Sequence, residues 1–175
     1  MRITYIILLL LAIILPLCQC GKVIAKDESL ELSLSFEKTE YKKTDPIPVV
    51  FKLENKGKKP IYANKRFYVN SKSSPETHRE IYLSATSPSG EDLPFKESRV
   101  SEDIGLPKTG YLVLLNTGEE ISSDRPRDIK YYFDFKELGT YKITGVYQNS
   151  YGEEIGLDTF KNKVQSDAVE IKIVE

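Results

Sequence analysis

The feature that most constrains this chain is an apolar residue at every second position. Leu30, Leu32, Leu34 and Phe36 alternate with Glu31, Ser33, Ser35 and Glu37. Successive side chains of an extended strand point to opposite faces, so period two marks a strand with one buried and one wet face. The pattern returns at Val49, Phe51 and Leu53, at 80–85, at 111–115, at Ile129, Tyr131 and Phe133, at Tyr141, Ile143, Gly145 and Tyr147, and at Val169, Ile171 and Ile173. Between these runs lie turn formers: Asn55-Lys56-Gly57, Ser87-Pro88-Ser89-Gly90 and Asn116-Thr117-Gly118. No segment keeps a helical period for more than two turns. The expectation is an all-β antiparallel sandwich of about seven to nine strands.

Ahead of the first strand, Arg2 is followed by an apolar run from Ile3 to Leu17, containing Pro16. A charged residue, an apolar core and a break form the layout of a secretory signal, read as an N-terminal signal helix. At 1.5 Å per residue a helix needs about 20 residues to cross a bilayer, more than this run offers without strain. Both cysteines follow at once, in Leu17-Cys18-Gln19-Cys20-Gly21. This resembles a bacterial lipoprotein signal, in which a peptidase cuts before a cysteine whose thiol is diacylated. The resemblance implies lipidation at Cys20, with Leu17 three residues upstream; Cys18 is the second candidate, with a poorer upstream fit. An ordinary cleaved signal peptide and an uncleaved anchor are the alternatives. The implied organisation is a signal over 1–19, a lipid-anchored tether over 20–29 and one sandwich domain over 30–175. Downstream of Cys20 there is no cysteine, so no disulfide braces that domain, and its core must hold it.

A second resemblance rests on Asp134-Phe135-Lys136-Glu137-Leu138-Gly139-Thr140-Tyr141. The segment is similar to the corner before the penultimate strand of immunoglobulin-like and fibronectin-type-III-like sandwiches. There a tyrosine hydroxyl reaches back to the preceding loop's backbone, a structural role the resemblance implies for Tyr141. The layout is also loosely similar to the bacterial intracellular proteinase inhibitor family. Fold likeness carries no function with it.

Composition closes several routes. With 25 Lys and Arg against 26 Asp and Glu, the chain lacks the basic surplus of a nucleic-acid binder. One His and two Cys leave no zinc set, and no cofactor is expected. His78, between Glu76 and Glu80, is the single imidazole; without a nucleophile motif it reads as a solvated loop residue. Glu119-Glu120, Glu153-Glu154 and Asp158 lack the alternating oxygens of a calcium loop and read as solvated turns. Lys56, Lys58, Lys59, Lys65 and Arg66 read as charges guarding an exposed sheet edge.

The expected residents of the core include Phe36, Phe51, Tyr131 and Phe133; for Tyr62, Tyr68, Tyr147 and Tyr151 core or sheet-face packing is the default and an aromatic surface the alternative. The expectation for function is a non-enzymatic envelope lipoprotein held to the membrane by lipid, displaying a module that binds a protein or glycan. A secreted or periplasmic protease-inhibitor-like domain and a structural subunit of an envelope assembly are the rivals. The long polar connections 70–80, 94–110 and 150–163 are the candidate binding loops.

Overall fold

A computed structural model describes residues 29–71, 80–96 and 109–175. Cys18, Cys20, the signal and nearly all of the tether, His78 and the middle of the first two candidate loops lie outside the described residues. Strands β1 (Leu30–Phe36), β2 (Glu40–Lys42), β3 (Pro48–Asn55), β4 (Ile61–Asn64), β5 (Val69–Ser71) and β6 (Ile81–Thr86) occupy the first half. Strands β7 (Leu112–Leu115), β8 (Glu120–Ser122), β9 (Arg127–Asp128), β10 (Gly139–Gln148), β11 (Lys163–Gln165) and β12 (Val169–Val174) follow. The protein is all-β, in agreement with the period-two pattern, and its helical content among the described residues is short 3-10 turns.

One sheet runs β1-β3, with β8 and β9 sharing the far side of β3. The other runs β2-β12-β10-β6-β5, with β11 and β12 taking successive halves of one side of β10. Such broken partners explain why twelve described segments stand where about seven to nine strands were expected. Two edge pairings, β2 on β12 and β5 on β6, are parallel rather than antiparallel. β4 and β7 form a separate two-stranded sheet.

The two larger sheets face each other through their alternating residues. In β1 the even-numbered leucines are buried, in β3 Val49, Phe51 and Leu53, and in β10 Tyr141, Ile143 and Tyr147. Gly145 marks where they meet most closely: a Cβ there would lie 3.2 Å from Leu34 Cδ2 and 3.4 Å from Leu32 Cδ2. A side chain at 145 would crowd these two leucine methyls, which would have to shift by a few tenths of an ångström.

Two aromatic clusters sit at the two ends of β10. Near its start, Phe95 stacks on Tyr132 and meets Phe133 edge-on, and the chain of rings continues through Phe135 to Tyr141. Toward its end, Tyr147 contacts Phe67 and Phe160, and Phe67 stacks on Phe51 with centroids 6.3 Å apart.

One strand expectation fails at 129–133. Ile129 and Phe133 are buried, but Tyr131 is 61% exposed, because Ile129–Tyr131 is a 3-10 turn. The Asp128 side chain accepts from the N–H of Lys130 and of Ile47, which caps the turn and ties it to β3. The Phe133 N–H bonds the Ile129 carbonyl, so these two residues four apart share the buried face while Tyr131 between them points out. Phe36 is half-buried, whereas Phe51 and Phe133 lie in the core.

Candidate functional site

The most heavily engaged polar cluster in the described residues lies at the Tyr147 end of β10. The chain leaves β4 and crosses to β5 through Lys65, Arg66, Phe67 and Tyr68. Phe67 makes this crossing with φ of 50°, a left-handed conformation uncommon for a bulky residue. Its ring is fully buried against Phe51 and Tyr147, and that burial holds the unusual backbone in place.

With Phe67 turned inward, Arg66 is turned inward too. Its Nη2 lies 2.7 Å from Glu80 Oε1, and its Nε lies 3.1 and 3.2 Å from the two carboxylate oxygens. Both side chains are only 2% exposed. Glu80 also accepts from the N–H of Tyr68 through Oε2, 3.0 Å, and from Asn64 Nδ2 through Oε1, 3.2 Å. Burial pushes the Glu80 carboxyl up, an effect that the Arg66 guanidinium and the Tyr68 N–H oppose. The guanidinium carbon sits 4.7 Å over the Tyr68 ring and 5.8 Å over that of Tyr111. Arginine's planar, weakly hydrated head suits both contacts, which a lysine would make poorly.

Tyr147 extends the network. Its hydroxyl accepts from the N–H of Asn64 at 2.7 Å and donates to the Asn64 carbonyl at 3.3 Å. Fully buried, the phenol is pushed far above its ordinary range and stays a neutral donor and acceptor.

Both stems of loops 70–80 and 150–163 and the returning stem of loop 94–110 reach this cluster. Loop 70–80 leaves from Tyr68 and returns at Glu80, whose N–H donates to the Tyr68 carbonyl. Loop 94–110 returns at Tyr111, over Arg66, and the Tyr111 carbonyl accepts from Lys65 N–H. Loop 150–163 starts beyond Gln148, whose N–H donates to the Glu80 carbonyl, and returns with Thr159 bridged to Tyr62 and Phe160 N–H on the Tyr62 carbonyl. The first stem of loop 94–110 is different: Phe95 and Lys96 belong to the aromatic cluster at the other end.

One expectation needs correction. Arg66 does not guard an edge; it is a buried ion-pair partner, while Lys56, Lys58, Lys59 and Lys65 are exposed. The Glu80 carboxylate accepts from Asn64, Arg66 and Tyr68. Tyr147 takes the default placement in the core, and Tyr62, Tyr68 and Tyr151 are half-buried. Sequence held one signal for the pair: an arginine, not a lysine, followed directly by Phe67 and Tyr68.

Tyr141 lies at the opposite end of β10. Its hydroxyl donates to the Glu137 carbonyl and accepts from the Glu137 N–H, both at 2.9 Å. The acidic pairs are engaged by their neighbours, with Glu120 of β8 paired to Lys52 of β3. Glu119 accepts from Asn116 N–H, Glu154 from Gly152 N–H, and Glu153 pairs with Lys161. Among the described residues no three His, Cys, Asp or Glu side chains converge as a metal site, and no helix is long and apolar enough to cross a membrane.

A shallow cavity of about 180 Å³ near the first aromatic cluster is lined by Lys96, Asp128, Lys130 and Tyr131. Its lysines brace the fold: Lys130 Nζ donates to the carbonyls of Lys43 and Asp45, and Lys96 Nζ to that of Lys130 while pairing with Asp134. No protein-family profile and no curated protein sequence matches this chain.

Proposed function

We propose that the protein is a non-enzymatic envelope lipoprotein, anchored through an acylated Cys20, whose sandwich carries a binding surface at the Tyr147 end of β10. The observation that carries the binding half is the convergence of three loop stems on the Arg66–Glu80 pair. A buried, fully hydrogen-bonded anchor beneath polar loops keeps their bases rigid, which lowers the entropy lost when a partner orders them. Tyr62, Tyr68 and Tyr151 bring half-exposed rings to this end, a surface suited to a protein or glycan partner. Anchoring is supported by the apolar leader that ends in Leu17-Cys18-Gln19-Cys20.

The experiment is the intact mass of the protein from native membranes, beside a Cys20→Ala variant. The expected wild type begins at residue 20 and carries a diacylglyceryl mass that the variant lacks. A chain that begins elsewhere without lipid contradicts the anchor. For the surface, a photo-crosslinking residue at Tyr151 is expected to capture a discrete envelope partner that the same residue at Lys142, on the other half of β10, does not. Equal capture from both positions contradicts the assignment of the binding end.

A further inference from the structure

β4 and β7 lie across one end of the sandwich. Their sheet starts beside the smaller sheet, where Asn55 at the end of β3 donates through Nδ2 to the Leu115 carbonyl of β7 at 2.8 Å. It finishes beside the larger sheet, where Asn64 at the end of β4 holds the Tyr147 hydroxyl of β10. Ala63 and Leu115 are buried on its inner face, within the core. Tyr62 pairs with Leu114 and Asn64 with Leu112. Cross-strand partners share a face, so Tyr62, Leu112 and Leu114 stand on the outer one.

Loop 150–163 borders that outer face. A Cβ on Gly152 would lie 3.3 Å from Leu112 Cδ1, and Thr159 is bridged to Tyr62. The 3-10 turn Glu153–Ile155 follows, with the Ile155 N–H on the Gly152 carbonyl. Leu114 is 42% exposed and Ile155 41%. A strand and a turn from separate parts of the chain each present an aliphatic side chain to the outside at this end. Exposed Lys58, Lys59 and Lys65 stand among exposed Glu153, Glu154 and Asp158, so neither sign of charge dominates.

The tether meets the domain at the same end. The Ser29 carbonyl, directly before β1, accepts from the N–H groups of Lys56 and Gly57, in the turn that follows Asn55. Ser29 is nine residues beyond Cys20, a reach of about 32 Å at most. β10, ten residues long, spans about 33 Å. A chain held at Cys20 therefore keeps the β4–β7 end next to the leaflet and the Tyr141 end a strand length further out.

We propose that the outer face of β4–β7, together with Ile155, docks on the bilayer that holds the Cys20 acyl chains. Leu114 and Ile155 enter below the headgroups, which removes their apolar surface from water, and Tyr62 lies at headgroup level. This docking depends on the acylated anchor proposed above. With neither sign of charge in surplus the contact is apolar, and it is expected to persist in high salt. The loops of this end then meet their partner at the membrane surface.

The test uses acylated protein extracted from native membranes and reconstituted into phosphatidylcholine vesicles whose acyl chains carry a spin-label quencher. With the leader gone and the Cys20 thiol acylated, an introduced cysteine is the only one free to take a fluorophore. Labels go to Leu114→Cys, to Ile155→Cys and to Leu138→Cys, which is 48% exposed beside the Tyr141 corner. The expected result is a blue shift and a loss of emission at 114 and 155, kept in high salt, and neither at 138.

A second arm separates docking from nearness imposed by the tether. Leu114→Asp, at an exposed position, leaves the fold and the anchor intact and is expected to abolish the quenching of a label at 155. Equal signals at 114 and 138, or quenching at 155 that survives Leu114→Asp, would overturn the docking and leave the anchor standing. An intact mass without the diacylglyceryl group would overturn the anchor and the docking with it.

Discussion

Tyr141 and Tyr147 lie six positions apart on β10, both with buried rings and both with hydroxyls that accept one backbone hydrogen bond and donate another. The difference is the distance they span along the chain. Tyr141 reaches four residues back, to Glu137, and fastens a corner that its own strand makes. Tyr147 reaches Asn64, 83 residues away, and joins the last long strand to the β4–β5 crossing. The first bond closes a small loop and is formed as soon as the corner forms. The second is formed only when the whole sandwich is assembled. Its partner Asn64 also holds Glu80 and the Arg66 N–H, so Tyr147 stabilises the anchor of the loop end while Tyr141 stabilises a turn.

The largest expected effect lies in that anchor. Glu80→Gln keeps the shape of the side chain but leaves the Arg66 cation buried without its anion, a change that costs about 3–5 kcal/mol. Urea unfolding followed by tyrosine fluorescence is the measurement, with an unchanged slope showing that the compactness of the two states is unaltered.

A smaller effect separates the tyrosines. Tyr147→Phe leaves the buried N–H and C=O of Asn64 unpartnered and is expected to cost about 1–3 kcal/mol, whereas Tyr141→Phe, at a partly solvated corner, costs about 0.5–1.5 kcal/mol. Equal losses would erase the distinction between the local and the long-range hydroxyl. Hydrogen exchange sharpens it: Tyr147→Phe is expected to speed exchange at the Lys65 and Glu80 amides, and Tyr141→Phe at the Glu137 amide.

What was legible from sequence follows the same division. Alternation identified β1, β3, β6, β10 and β12, because side-chain period is a local property and their buried faces enforce it. The Asn55-Lys56-Gly57 and Ser87-Pro88-Ser89-Gly90 turns were legible for the same reason: Gly57 N–H bonds the Asn55 side chain, and Gly90 sits at φ 88° with its N–H on the Ser87 carbonyl. So was the partner segment of Tyr141, five positions of chain or fewer away.

The 3-10 turn at Ile129–Tyr131 was hidden, because the Asp128 oxygen that caps it on Lys130 N–H is held in place by Ile47 N–H, 81 residues distant. Arg66 was hidden more deeply. Within the run Lys56 to Arg66 it looked like one more surface cation, and its partner arrives only when β6 pairs with β10 and β5. Charge identity is local, but burial is a property of the assembled sheets.

The most direct measurement is a double-mutant cycle on Arg66→Met and Glu80→Leu, each single and the pair unfolded in urea. Removing one partner strands a buried charge, whereas removing both leaves an apolar contact of similar volume. The expected result is two costly singles and a double variant well above their sum, with a coupling of about 2 kcal/mol or more between the two positions. Losses that simply add would mean that Arg66 and Glu80 do not act together, and the Tyr147 end would have no ionic anchor beneath its loops.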